Sequence, residues 1–522
     1  MNILMAAAEN GGLDGGKVGG IGDVIRDVPP AIAARNCEVK VVTPSYGFLH
    51  KPAGSRHMSS VFFSFAGHDH RAEIYEVQGK APCYHVKHFV VDHPFFSSYC
   101  NRRGCYRIYV NDPPERPFAT DAAKYALFCM ALTKAVMQNL FGHLDCIHLH
   151  DWHTAFFLIL RRFHEDCAVL EKIRTVYTIH NLAFQGIRPF QGTDSSLEAW
   201  FPNLKYRRSD IMDPRWTDCI NPMAAGIRLA DTVHTVSPSY AEEILNPSDK
   251  PRCYGGEGLE GDLRSARKEG RFYGILNGCD YPQKRVAAGL DFRELLKFLK
   301  SKLVNWAGAE ETLSPSHFVA YARLTALGSL SCRPDMIVTS VSRVAEQKIF
   351  LMQEPGLCFE SGLKGILESL GDHGIYILLG TGEKQYEHFL TQMSSRFENF
   401  IFMNGYSDDC ASSLYATGDL FLMPSSFEPC GISQMLAMRD GQPCLVHEVG
   451  GLKDTVKNDY NGFSFKGETV EAQVDNFVQS FINAVSLKKN DPDRWRQICR
   501  NASAARFLWD DTVRQYLKLL YR

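Results

Sequence analysis

The chain has 522 residues, too many for one hydrophobic core at roughly 150 residues per domain, which excludes a small disulfide scaffold or a lone binding module. Hydrophobic residues make up 45% and charged residues 22%, a globular balance that excludes a disordered tether. Lys plus Arg number 57 against 59 Asp plus Glu, a formal net charge of -2, so no global field draws the chain to nucleic acid or anionic lipid.

In chain order, the apolar run Ile3 to Ala8 is stopped by Glu9, Asn10 and a glycine cluster, and Val24 to Ala34 resumes with helical spacing, which predicts strand, loop, helix. Strands are expected again at Val39 to Thr43, at Ile147 to His150 after a helical stretch from Ala122 to Leu140, at Thr175 to Ile179 and at Thr232 to Val236. Repeated βα units imply a parallel sheet. A hinge is expected near Gly278 to Pro282, then a Lys- and Leu-rich helical stretch from Tyr281 to Pro334 ending in Ser331-Cys332-Arg333-Pro334. A second strand series follows at Met336 to Ser340, Ile375 to Leu379, Phe400 to Met403, Leu420 to Met423 and Cys444 to His447. Asp493 to Arg522, with Trp495, Phe507, Trp509, Tyr516 and Leu520, is amphipathic and expected to be helical. The 16 Cys form no CxxC pair, as expected of free thiols in a reducing compartment. No apolar run approaches the ~18 residues that span a bilayer, and Met1 to Ala8 lacks the flank of a signal peptide, so the expected address is cytoplasmic.

Several strand ends carry polar or glycine-rich segments. Lys17-Val18-Gly19-Gly20-Ile21-Gly22-Asp23 opens a helix after the first strand, where close backbone amides suit a diphosphate, although a tight βα turn needs glycine in any case. His148, His150, Asp151 and His153 end a strand; sugar contact ranks first, structural histidines second and a metal third, since no matching ligand set stands nearby. His180-Asn181 ends the next strand. Arg343 and Lys348 lie five residues apart in Ser342 to Lys348, able to grip a diphosphate, though alone they read as a solvated basic turn. Leu379-Gly380-Thr381-Gly382 is a weaker glycine turn. In Phe427-Glu428-Pro429-Cys430-Gly431-Ile432-Ser433 a carboxylate precedes a turn into a helix whose first amides can face phosphate. Val449-Gly450-Gly451-Leu452 repeats that glycine-to-helix pattern.

Taken in this order, these segments resemble bacterial glycogen synthases and plant starch synthases, family-five retaining glycosyltransferases of the GT-B fold. Matches run from the Lys17 to Val24 loop through His148 to His153, His180-Asn181, Ala230-Asp231, Thr235 to Pro238 and Gly274 to Gly278, to Ser342 to Lys348, Glu428 to Gly431 and Gly450-Gly451-Leu452. The family's usual Lys, Gly and Arg are replaced by Ala224, Ile349 and Ser426. The resemblance implies two doubly wound Rossmann-like domains facing each other across a deep cleft. The expected divisions are an N-terminal catalytic domain over 1–278, a hinge and helical linker over 279–334, a nucleotide-sugar-binding domain over 335–492, and a helical segment over 493–522 packing back on the N-terminal domain.

The implied reaction moves glucose, with retention, from a nucleotide-diphosphate glucose, ADP-glucose favoured, to the nonreducing 4-hydroxyl of an α-1,4-glucan, with no cofactor and no metal. The implied catalytic residues are Asp23, Asp151, His180, Arg343, Lys348 and Glu428. The implied substrate-binding residues are Lys17, Gly19, Gly20, Asn277, Tyr406, Cys430, Gly431, Ile432 and Ser433. Rival readings are a nucleotide-sugar epimerase or phosphorylase on the same architecture, a dehydrogenase, and an α-glucan-binding scaffold without turnover. The first loop lacks the GxGxxG and following acid of a dehydrogenase, and no context for a pyridoxal phosphate lysine is present.

Overall fold

A computed structural model describes residues 1–81, 83–97, 107–281, 290–309, 314–328 and 333–522. Pro282 of the expected hinge and Ser331-Cys332 of the expected linker end lie outside the described residues. The chain divides into two units, the first comprising Met1–Ser248, Gly255–Gly278 and Leu508–Arg522, the second Asp249–Tyr254 and Cys279–Phe507. Both are built around a doubly wound sheet of the GT-B class. Among the described residues no helix is long and apolar enough to cross a membrane.

The first unit holds a nine-stranded sheet in the order Phe272–Gly274, Thr232–Thr235, Arg174–Ile179, Cys146–His150, Asn2–Ala6, Glu38–Pro44, Val86–Asp92, His68–Val77, Arg56–Phe65. Pairing is parallel except at the last two strands. Ile3, Leu4, Met5 and Ala6 are all fully buried, the mark of a central strand covered on both faces, which is why they read as one continuous apolar run. The antiparallel hairpin Arg56–Phe65 and His68–Val77 escapes sequence reading. Its edge strand exposes Phe62 and mixes polar with apolar residues, and its turn is Ala66-Gly67, both at positive φ, in place of the Asn-Gly signal such turns usually carry.

The second unit has a six-stranded, all-parallel sheet in the order Phe400–Asn404, Gly374–Gly380, Met336–Val341, Leu420–Met423, Cys444–His447, Gly462–Phe465. Helices Phe292–Ala309 and Pro315–Leu327 bury Leu295, Leu296, Leu299, Leu303 and Leu324 against the sheet residues Ile337, Ile375 and Ile401. The described part of the Tyr281 to Pro334 stretch is therefore core to this unit. The C-terminal segment is shared. Helix Pro492–Ala504 packs Trp495 and Ile498 into the second unit, whereas Trp509, Val513, Tyr516, Leu520 and Tyr521 join the core of the first, beside Ile25 and Val28 of helix Gly20–Ala33.

Both sheets reverse their winding direction beside one strand. Asn2–Ala6 has Glu38–Pro44 on one side and Cys146–His150 on the other, and Met336–Val341 has Gly374–Gly380 on one side and Leu420–Met423 on the other. Loops leaving such a strand and its neighbour diverge, opening a crevice at the carboxyl ends where ligands of open α/β sheets bind. In the first unit those loops and the helix starts after them carry Lys17 to Asp23 and Asp151; in the second they carry Arg343, Lys348 and Glu428.

Candidate active site

In the first unit, Lys17 Nζ donates to Asp23 Oδ1 at 2.7 Å, and Arg26 Nη1 donates to the same oxygen at 2.9 Å. Asp23 lies in the first turn of helix Gly20–Ala33, where its charge suits the positive end of the helix. The Val18 and Gly19 amides, two of those expected to face a diphosphate, instead donate to Glu9 Oε2 at 2.7 and 2.6 Å. Gly20 is exposed. Glu9 is a residue that sequence reasoning passed over as a strand terminator.

Asp151 sits beyond the neighbouring strand at φ 57° and ψ 179°, a conformation disfavoured for a residue with a Cβ and retained only when its surroundings hold it. They do so through its carboxylate, which accepts the His180 amide at 2.7 Å and also a backbone bond from Asn181. Asp151 thus fixes the backbone of the next strand end, the segment expected to meet the sugar. Burial pushes its carboxyl up to about 7. The His180 ring meets His150 Nδ1 through Nε2 at 3.0 Å, and burial holds His180 down to about 3, so both rings are neutral. His148 is fully buried and uses both ring nitrogens, Nδ1 with the Tyr521 hydroxyl at 2.8 Å and Nε2 with Thr178 Oγ1 at 2.6 Å. That corrects the sugar-contact reading for His148, which is a core group. Asn277 is buried, its amide bonded to the Val236 carbonyl at 3.2 Å, while its side-chain Oδ1 has no partner among the described residues.

In the second unit, Lys348 lies in the first turn of helix Glu346–Gln353 and forms a short ion pair with Glu428 Oε2. Ser425 Oγ stands 3.3 Å from both the ammonium and that carboxylate. The pair is mostly buried, with side-chain exposures of 13% and 9%, so its charges are poorly screened and act strongly on anything placed beside them. Gln347 reinforces the register, donating from Nε2 to the Phe427 carbonyl at 2.8 Å and accepting the Ser426 amide on its own carbonyl at 2.9 Å. Tyr254 stacks on Phe427 with ring centroids 4.4 Å apart. Sequence spacing gave no sign of this support.

Arg343 follows strand Met336–Val341 on an exposed loop and makes no ion pair or side-chain hydrogen bond among the described residues. Its loop is braced by the glycine turn. The Ser342 amide donates to Leu379 and the Val344 amide to Thr381, and a Cβ on Gly382 would stand 2.1 Å from the Val344 carbonyl oxygen. The glycines at 380 and 382 therefore serve backbone packing. Gly451 acts similarly. Its amide donates to the Glu428 carbonyl at 3.0 Å, and a Cβ there would stand 2.3 Å from the Cys430 carbonyl oxygen. Cys430 is buried, Gly431 turns at φ +75°, and Ile432 caps helix Ser433–Arg439. Tyr406, after strand Phe400–Asn404, is exposed and donates to Asp408 Oδ1 at 2.9 Å.

The first unit's strand reversal carries acids and neutral polar groups suited to sugar hydroxyls, and the second's carries cations and an acid suited to an anionic group. Among the described residues no group of three His, Cys, Asp or Glu side chains is placed to hold a metal ion.

Comparisons with known proteins agree with that chemistry. A family described as the starch synthase catalytic domain matches residues 2–265, and one described as glycosyl transferases group 1 matches residues 361–498. The glycogen synthase of Streptococcus sanguinis strain SK36 is 33% identical over 99% of this chain and 99% of its own, and that of Streptococcus mutans serotype c is 31% identical over 99% and 98%. The catalytic domain of starch synthase IV from Arabidopsis thaliana, solved bound to ADP and acarbose, superposes with a TM-score of 0.73 at 25% identity, covering 100% of this chain and 98% of that one. Sucrose-phosphate synthase from Thermosynechococcus elongatus, at 16% identity and a TM-score of 0.53, shares the fold.

Proposed function

We propose, on the footing that this chain belongs to the glycogen and starch synthases, retaining glucosyltransferases of the GT-B fold, that it transfers glucose from ADP-glucose to the nonreducing 4-hydroxyl of an α-1,4-glucan. The observation that carries the residue assignment is the meeting of Lys348 and Glu428, beside the Arg343 loop, at the strand reversal of the second unit. In this reading Arg343 and Lys348 grip the donor diphosphate, together with the backbone of Ile432 and Ser433 after the Cys430-Gly431 turn. Tyr406 flanks the base. Glu428 orients the glucose hydroxyls. In the first unit, Asn277, Asp151, His180, Lys17, Gly19, Gly20 and Asp23 are the residues we assign to sugar binding. ADP is favoured as the leaving nucleotide because the starch synthase IV structure is described as bound to ADP.

Breaking the bond between sugar and phosphate puts negative charge on the diphosphate and positive charge on the ring. A cation already held in place, as Lys348 is by Glu428, stabilises the first without reorganising, which lowers the barrier where water is excluded. The His180 carbonyl, on the backbone that Asp151 holds, is the group we assign to the developing positive charge, and the departing phosphate oxygen takes the acceptor's proton. Glu428, already paired with Lys348, positions rather than attacks.

The test is to incubate the protein with glycogen and either ADP-glucose or UDP-glucose and to measure nucleoside diphosphate release. ADP release with glucan extension is expected. UDP release alone would reassign the donor, and release from neither would favour a glucan-binding scaffold.

A further inference from the structure

The glycine-rich loop of the first unit is occupied by the chain's own carboxylate. Glu9 follows strand Asn2–Ala6 and is 2% exposed. Its Oε2 accepts the Val18 and Gly19 amides at 2.7 and 2.6 Å, and its Oε1 accepts the Tyr109 hydroxyl at 2.8 Å. These three neutral donors are its partners among the described residues. The nearby ammonium of Lys17 is bonded to Asp23 instead. A buried carboxylate without a cation is costly unless several donors face it, so the site is built for this group.

The glycine pattern agrees. A Cβ on Gly22 would stand 2.9 Å from Glu9 Oε2 and 2.8 Å from Lys17 Cγ, and one on Gly19 would stand 3.3 Å from Glu9 Oε1. The spacing that suggested a phosphate cradle leaves room for Glu9 and for the Lys17 stem. The next residue, Asn10, ties down the other arm of the loop, its amide donating to the Gly16 carbonyl at 2.7 Å and its Oδ1 accepting the Gly12 amide at 3.0 Å.

We infer that Glu9 is a positioning residue for the reaction. It replaces an external anion at the amides of Val18 and Gly19, freezes the loop one residue beyond Lys17, and so sets where the Lys17 ammonium and Asp23 carboxylate stand; Tyr109 orients Glu9. This rests on the proposed role of Lys17 in serving the donor sugar.

The experiment is a double-substitution cycle, with kcat, KM for ADP-glucose and the unfolding midpoint measured for Lys17→Ala, Glu9→Ala and the pair. Misplacing a group by about an ångström can cost ~10²-fold, so Glu9→Ala is expected to lower kcat by about that factor in folded protein. Lys17→Ala in the same chain should then add little, and Glu9→Gln, which keeps an oxygen for the amides, should recover most of the rate. Wild-type kinetics for Lys17→Ala alone would reject the site assignment, leaving Glu9 as an internal brace. Impaired Lys17→Ala with losses that multiply in the pair, or wild-type kcat in Glu9→Ala, would overturn the inference itself. Should Glu9→Ala fail to fold, Tyr109→Phe takes its place in the cycle; there a smaller loss that does not multiply with Lys17→Ala supports the inference and a multiplying one overturns it.

Discussion

Asp151 shows how a single residue can be visible in sequence while its work is not. Its place after a strand of alternating histidines is legible, as is its nearness to a second polar strand end. What the sequence hides is that the carboxylate faces the His180 amide and that the backbone at φ 57° is held in place by that bond. Removing the acceptor leaves two half-buried amides unpaired, towards the low end of about 1–3 kcal/mol each. Asp151→Ala is therefore expected to lose roughly 2–4 kcal/mol in denaturant unfolding, while Asp151→Asn, which keeps one carbonyl oxygen, should stay much closer to wild type. Equal losses in the two variants would contradict the bond's role. Glu9 was illegible for a different reason: a lone acid after an apolar run looks like a strand end, and only the folded loop brings Val18, Gly19 and Tyr109 to it.

Elements with strong period and full burial were the most legible. Strands Leu420–Met423 and Cys444–His447 coincide with their expected bounds, because parallel strands covered on both faces leave uninterrupted apolar runs. Gly462–Phe465, equally short but interrupted by the half-buried Ser464, and the three-residue Phe272–Gly274 do not stand out, and the antiparallel hairpin lacks its usual turn residues. The glycine turns are legible, but the backbone that two of them pack against is not. Gly382 packs on Val344 and Gly451 on Cys430, so each shapes a loop that carries a candidate residue. Gly451→Ala would push a Cβ to within 2.3 Å of the Cys430 carbonyl oxygen, which forces the turn after Glu428 to shift. With reacting groups misaligned by about an ångström, kcat is expected to fall by up to ~10²-fold, measured beside a far-UV circular dichroism spectrum that stays native. Unchanged kcat would show that the turn's position is immaterial.

Across the whole molecule, the division into two doubly wound units was legible from the two strand series, whereas the assignment of the 290–327 helices to the second core was not, because helical spacing does not say which sheet a helix covers. The units also differ in how acid affects them. In the first, His88 and His93 are held down to about 4 and His180 and His234 to about 3, all chiefly by burial. An unfolded histidine titrates near 6.5, so below that pH the unfolded chain binds protons that the folded unit refuses. The stability present above pH ~6.5 is then lost towards the folded values, by up to ~1.4 kcal/mol per pH unit for each ring. Asp151 acts in the opposite sense, since its carboxyl at about 7 takes up a proton before the unfolded group does, but one acid does not offset four histidines. The second unit carries His447 at about 4. Amide exchange compared at pH 7.5 and 5.0 is expected to show the first unit losing protection before the second; the reverse order would contradict this.

The central claim is that fixed cations at the second unit's strand reversal ease departure of the donor diphosphate. Lys348 is the group most committed to that role, buried and paired with Glu428. The most direct measurement is kcat for ADP release with glycogen as acceptor, wild type against Lys348→Ala. Loss of one preorganised partner of developing charge predicts a fall of ~10²-fold or more, and a variant that folds and turns over at the wild-type rate would contradict the account.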